Sequence, residues 1–215
     1  MVPAQVVGGE FFDAFGVDRA HVCLAVGDVA GKGISAALFM ARSLATLRLG
    51  VVSGQPHSTL IARFNDAMCE HNVHSTFVTL FAGFLDIRSG ELAYFCAGHH
   101  AALLMTADGG ITALRRPEGM VAGAFPGIFY EVAHRHLGLG DILFVYTDGV
   151  TEAQDQGAQF FGEERLVAAL AVARPMTAAA ALRVVQDTLA NFTAGAPQFD
   201  DITMLAVRFA ARSDR

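Results

Sequence analysis

Asp28, Asp148 and Asp200 are the residues of this chain best suited to chemistry, because each stands where an apolar, strand-like segment begins or ends. Their settings are Gly27-Asp28-Val29 ahead of a helical stretch, Thr147-Asp148-Gly149 after an apolar run, and Asp200-Asp201-Ile202-Thr203 ahead of the last run. Carboxylates at strand ends can converge at one edge of a sheet. Hard cations such as Mg²⁺ and Mn²⁺ prefer oxygen ligands, and two of them sharing a carboxylate can activate a water. Taken singly, each aspartate reads as readily as a turn or cap residue.

The elements that must hold these carboxylates follow from pattern. Val22 to Val26 is a short, branched apolar run that predicts a buried strand, and Gly27 to Gly33 predicts a glycine-punctuated turn. Ile34 to Leu47 keeps helical spacing, with Gly50 expected just past its end, and Leu60 to His71 predicts a second helix. Strands are expected at Phe77 to Ile87, Leu92 to Ala97 and Ala102 to Thr106, paired antiparallel because they follow one another closely. A further strand pair is expected at Phe129 to Leu137 and Ile142 to Thr147, turning at Gly138 to Asp141. Helices from Glu163 to Ala173 and Thr177 to Phe192, then a strand from Ile202 to Phe209, complete an α+β arrangement of sheets covered by helices.

Composition bounds the function classes. With 53% hydrophobic and 17% charged residues, 215 residues suit one well-buried domain spanning 1–215. No uninterrupted apolar run reaches the ~18 residues that span a bilayer, and Met1 to Asp13 lacks the pattern of a signal peptide. A cytoplasmic protein with no membrane partner is the expectation. Cys23, Cys69 and Cys96 lack the spacing of a zinc or redox motif and read as buried thiols. A formal net charge of -6 without a Lys/Arg cluster argues against nucleic acid as a partner.

Read in order, Val7-Gly8-Gly9-Glu10-Phe11-Phe12-Asp13, Gly27-Asp28-Val29-Ala30-Gly31-Lys32-Gly33, Ala97-Gly98-His99, Tyr146-Thr147-Asp148-Gly149-Val150-Thr151-Glu152-Ala153 and Asp200-Asp201-Ile202-Thr203 form a series. The series resembles the SpoIIE/RsbU-type branch of the PPM (PP2C-like) metal-dependent serine/threonine phosphatases, from about Val7 to Val207. The resemblance implies a four-layer α-β-β-α sandwich of two antiparallel sheets flanked by helices, with two Mn²⁺ or Mg²⁺ ions, and a weaker third, at one end. It implies that Asp28 bridges the metals, that the Val29 carbonyl serves one, and that Asp148 and Asp200 complete the other. Glu10, Asp13 and Asp201 are then outer-sphere or third-metal residues, and a metal-activated water is the nucleophile. The branch commonly acts on phosphoserine or phosphothreonine of a STAS-type anti-sigma-factor antagonist. A homodimer and an upstream sensor domain are further expectations. The chain opens almost on the first motif, so a first strand or an upstream regulatory domain is expected to lie outside it.

Two departures from the branch are visible: Glu10 stands where Asp is usual, and Cys96 where Asn is usual before Ala-Gly-His. Rival sites are weaker. Gly27 to Gly33 fails the P-loop spacing, so Lys32 reads as a surface residue or a phosphate contact. The histidine pairs His71 and His74, His99 and His100, and His134 and His136 lack zinc-site company, and the last pair suits an exposed strand face. His99 either borders the site or stabilises its turn. Phe11 and Phe12 read as core anchors. Two rival functions remain: a PP2C-like binding or regulatory module that needs a partner to order its metal site, and a phosphatase for small phosphoesters. The helix from Ile34 carries more apolar residues than one buried stripe requires, which predicts packing on a partner or second subunit.

Overall fold

The computed structural model describes residues 8–173, 177–198 and 200–210. Val7 of the first motif lies outside the described residues. Five strands make the first sheet: β1 (Glu10–Gly16), β2 (His21–Val29), β3 (Val78–Asp86), β4 (Glu91–Ala97) and β7 (Ala133–His136), in that spatial order and antiparallel throughout. The second sheet runs β6 (Ile111–Ala113), β5 (Leu103–Met105), β8 (Ile142–Tyr146) and β9 (Met204–Arg208), also antiparallel. Helices α1 (Ile34–Val52) and α2 (His57–Cys69) cover the first sheet, and α4 (Gly162–Ala173) and α5 (Ala178–Thr193) cover the second. The four-turn-residue helix α3 (Asp148–Thr151) follows β8 directly.

Three apolar layers hold this sandwich together. In β2, Cys23 and Ala25 face the helices while Leu24 and Val26 face the other sheet, so both faces are buried and the strand reads as one continuous apolar run. In β8, Leu143 and Val145 point inward to meet them, and Phe144 and Tyr146 turn out against Phe161, Leu166 and Val185. Each such side chain, fully buried, contributes roughly 1.5–3 kcal/mol. The α-β-β-α sandwich expected from the sequence is what the chain forms.

Several local expectations need correction. The strands at β7 and β8 do not pair: β7 adds to β4 in the first sheet and β8 to β5 in the second. Gly138 to Asp141 is therefore a corner between layers, tied by Gly138 N–H donating to Asp141 Oδ2 at 2.8 Å. Likewise β4 and β5 belong to different sheets, and the chain crosses between them at Gly98 to Ala102. Helix α1 continues through Gly50, which allows Leu60 of α2 to approach, and ends at Ser53 and the left-handed Gly54 (φ 67°). Of the two adjacent phenylalanines, Phe11 is core but Phe12 is 47% exposed. Cys69 is only partly buried, whereas Cys23 and Cys96 are buried as expected.

Helix α1 is also long and apolar enough to cross a bilayer by length and composition, with a mean hydropathy of 1.3. The expectation that no segment reaches that length thus holds only for uninterrupted runs. Arg42 and Arg48 interrupt it, and both are used inside the fold: Arg42 donates to the Ala67 and Glu70 carbonyls, and Arg48 pairs with Asp13. The inner face, with Ala36, Ser43, Leu47 and Val51, packs on the first sheet, while Ile34, Leu38, Leu49 and Val52 are solvent-exposed in the single chain.

Candidate metal centre

One end of the sandwich gathers carboxylates from both sheets. Asp28 is the penultimate residue of β2, and the ladder places Glu10 of β1 directly across from it on one side and Thr79 of β3 on the other. Gly31 (φ 98°) and Gly33 (φ 84°) then turn the chain into α1 through backbone conformations that side-chain-bearing residues disfavour. The Val29 carbonyl lies over Gly9, where a Cβ would stand 3.0 Å from it.

The second sheet brings the other acids by close backbone packing. Thr203 N–H donates to the Thr147 hydroxyl at 3.0 Å, and Thr147 N–H donates to the Thr203 carbonyl at 3.1 Å, tying the exit of β8 to the entry of β9. Asp148 and Asp201 are thereby neighbours. Gly149 makes this approach feasible: a Cβ there would fall 1.8 Å from the Asp201 carbonyl oxygen. Gly8 does the same for the side chain, since its Cβ would fall 2.1 Å from Asp201 Oδ2.

The charges that act on Asp28 and on Glu10 come from the same group of acids. Burial first, then the charges of Asp148, Glu10, Asp200 and Asp201, push the Asp28 carboxyl up to about 8 from an ordinary 3.8. Burial likewise pushes Glu10 up to about 7 from 4.5; the nearby Thr203 and Thr147 hydroxyls lower it, and Asp201 and Asp148 raise it. Among the described residues, both Glu10 carboxyl oxygens and the Thr203 hydroxyl are buried without a hydrogen-bond partner. Glu10 is only 2% exposed, whereas Asp28, Asp148 and Asp200 are half-buried and reachable from solvent. Lys32 lies with Nζ 3.1 Å from Asp200 Oδ1, which places it at the rim of the site.

Among the described residues, no three His, Cys, Asp or Glu side chains already form a closed metal-ligand set. Like charges gathered in one site repel, and a bound cation would offset that repulsion. The donor set nevertheless fits a hard divalent cation: oxygen donors only, an excess of negative charge, and orphaned buried oxygens on Glu10 that a nearby positive charge would compensate.

Asp13 is the exception among the sequence candidates. It faces α1, not the site, and Arg48 Nε and Nη2 donate to its carboxylate at 2.6 and 2.7 Å. The strand alternation that puts Glu10 on the site face puts Asp13 on the other. The structure places it in an ion pair with Arg48, on the face of β1 opposite Glu10. His99, 1% exposed, exchanges a 2.9 Å hydrogen bond between Nδ1 and the Thr79 hydroxyl, the residue beside Asp28. Burial pushes its ring down to about 3, so it stays neutral. Cys96, the second departure, donates its thiol to the His99 carbonyl at 3.0 Å and so closes the same turn. Thr79, Thr147, Thr203 and Gly8 were missed as supports of the site; Thr147, Thr203 and Gly8 had a signal, through their place in the motifs, and Thr79 had none.

Comparison with known proteins gives the family and the fold. Residues 18–210 match the family "Stage II sporulation protein E (SpoIIE)". The chain belongs to the SpoIIE family. The SpoIIE match starts after the Gly9 to Asp13 stretch, although similarity to Protein IcfG of Synechocystis sp. covers 95% of this chain at 31% identity. Phosphoserine phosphatase RsbU of Bacillus subtilis is 26% identical over 72% of the chain. These two matches cover 36% of IcfG and 46% of RsbU, so the chain spans less than half the length of either. Among solved structures, the SiaA-PP2C domain of Pseudomonas aeruginosa superposes with a TM-score of 0.82 at 25% identity, covering 97% of this chain and 83% of that one. The chain is a SpoIIE/RsbU-type member of the PPM group.

Proposed function

We propose that this SpoIIE-family chain is a Mn²⁺- or Mg²⁺-dependent protein serine/threonine phosphatase whose substrate is a phosphorylated STAS-type anti-sigma-factor antagonist. The observation that carries the reading is the set of mutually repelling carboxylates around Asp28, with Glu10 buried and unsatisfied beside it. In this reading Asp28, the Val29 carbonyl, Asp148 and Asp200 would hold the ions, and Glu10 and Asp201 would act on them through water. Bound there, the ions would supply positive charge for the phosphoryl oxygens and lower the pKa of water.

The chain's own residues do the remainder. Lys32, at the rim on Asp200, is placed to meet a phosphoryl oxygen. In hydrolysis, water oxygen bonds to phosphorus, the phosphorus–ester oxygen bond breaks, and the serine or threonine oxygen leaves as a hydroxyl after taking a proton. Burial raises all three thiols, Cys96 to about 11 and Cys23 to about 12, which makes each a poorer nucleophile. Support for a phosphoprotein substrate comes from the similarity to RsbU, which is named a phosphoserine phosphatase. A cytoplasmic setting, an upstream sensor domain and a homodimer belong to the same reading, in keeping with three free cysteines and the exposed apolar face of α1.

Phosphate release from a phosphorylated STAS partner in Mn²⁺ tests this. The wild type should release phosphate, and Asp28→Asn and Asp148→Asn should each lose at least about a hundredfold, the scale at which loss of a charge-stabilising group acts. No release, or release unchanged in both variants, would defeat it. The open arrangement of the carboxylates favours one second reading, a module that orders its metal site only with a partner. Calorimetry that finds no Mn²⁺ binding by the isolated chain while the partner still binds would select that reading.

A further inference from the structure

Beside the acidic cluster, the C-terminal half of α5 and the segment entering β9 enclose a cavity of about 360 Å³. Asp200 and Gly149 form part of its wall, so cavity and cluster share a rim. Its apolar lining comes from Leu189 and Ala190 of α5, with Pro197, Ile202 and Met204, and Glu152, Thr193 and Gln198 also line it. Gln154 and Gln186 add carboxamides, which can both donate to and accept from a peptide backbone. The aspartate chemistry uses none of these side chains except Asp200.

Such a lining, apolar with a few polar groups, is that of a pocket for a side chain attached to a backbone. A substrate peptide bound in extended form advances about 3.3 Å per residue and sends alternate side chains to opposite sides. With the phosphorylated residue over the carboxylates, a near neighbour in its sequence lies over this cavity.

We propose that the cavity walled by Leu189, Ala190, Ile202 and Met204 takes one apolar side chain, of leucine, isoleucine or methionine size, from within three residues of the phosphorylated serine or threonine. This rests on the phosphatase reading above and adds to it a sequence preference. The selectivity then resides in α5 and the entry to β9, outside the ligand set.

Short synthetic peptides test it, each with one central phosphoserine in a glycine–serine background and leucine placed in turn at each flanking position. Turnover in Mn²⁺ and affinity by fluorescence anisotropy are both measured, with 4-nitrophenyl phosphate as an ester that carries no flanking residue. Ala190→Phe and Gln186→Phe fill the cavity from exposed helical positions one turn apart. At one flanking position leucine should raise kcat/KM and affinity about tenfold over glycine, and both variants should erase that gain while ester turnover stays within about twofold.

Equal behaviour of leucine and glycine peptides at every position overturns the subsite, as does a preference that survives both variants. Equal losses on peptide and ester overturn it too, because the variants would then act on the acidic cluster. If nothing is hydrolysed but the leucine preference in affinity appears and is erased by the variants, the phosphatase reading fails and the subsite stands. Absence of both hydrolysis and binding preference defeats both.

Discussion

Glu10 and Asp28 stand directly opposite each other across the β1–β2 ladder, two carboxyls held up to about 7 and about 8 by burial and by the acids around them. Because the folded state binds their protons more tightly than the unfolded chain does, folding is favoured most below their ordinary values of 3.8 and 4.5. That stability is lost as pH rises through about 7 to about 8. Thermal melts in chelator should therefore show Tm falling between pH 5 and pH 9. Asp28→Asn should flatten the fall. A Tm in chelator that rises over the same range would contradict the mutual repulsion of this pair.

Gly149 carries a second expectation. Its missing Cβ is what lets α3 lie on the Asp201 carbonyl, and backbone cannot give way as a flexible side chain can. Gly149→Ala should cost about 1–3 kcal/mol, the usual scale of overpacking, read from urea denaturation. Gly31→Ala meets nothing within 4 Å, so it should cost only the left-handed backbone penalty, of order 1 kcal/mol. Equal costs at the two positions would mean that the close approach at Gly149 is relieved cheaply.

How much of this could be read beforehand depends on what each residue does. Apolar runs such as Val22 to Val26 and Ile142 to Thr147 marked their strands because both faces are buried. Strand β1 was not read, because Glu10 serves the site and Asp13 an ion pair, and two acids in seven residues hide a half-buried strand. The β7–β8 corner was misread as a hairpin because glycine and aspartate reverse a chain within a sheet or between layers alike. For the site, Asp28, Asp148, Asp200, Asp201 and Glu10 were legible through the motifs around them. Thr79 and His99 were not linked to each other or to Asp28, since their contact joins β3 to the turn after β4 and rests on sheet order.

The Asp13–Arg48 pair is asymmetric, and the asymmetry is measurable. Asp13 is buried, whereas Arg48 is half-exposed and also lies over the Phe15 ring, 4.8 Å from its centroid. Arg48→Ala strands a buried carboxylate and should be the more destabilising of the two changes in urea denaturation. Asp13→Ala leaves an arginine that can turn to water and should cost about 1–2 kcal/mol. Neither should change Mn²⁺ affinity by calorimetry, and a weakened affinity in Asp13→Ala would return that residue to the metal site.

Among the described residues, Glu10 finds no hydrogen-bond partner for either carboxyl oxygen, and Asp28 stands opposite it across the ladder. If cations bind beside Asp28, the Glu10 charge becomes an asset, acting on their waters as supporting residues around metals do. Glu10→Gln should then weaken Mn²⁺ binding about 10- to 100-fold, while raising the Tm in chelator above pH 7 because one repelling charge is gone. Glu10→Asp keeps the charge and shortens the reach by one methylene, so its affinity should fall between wild type and Glu10→Gln. Calorimetry and melts on the three proteins give both readouts. Higher stability with unchanged Mn²⁺ affinity in Glu10→Gln would make Glu10 a buried neutral acid with no part in holding the cations.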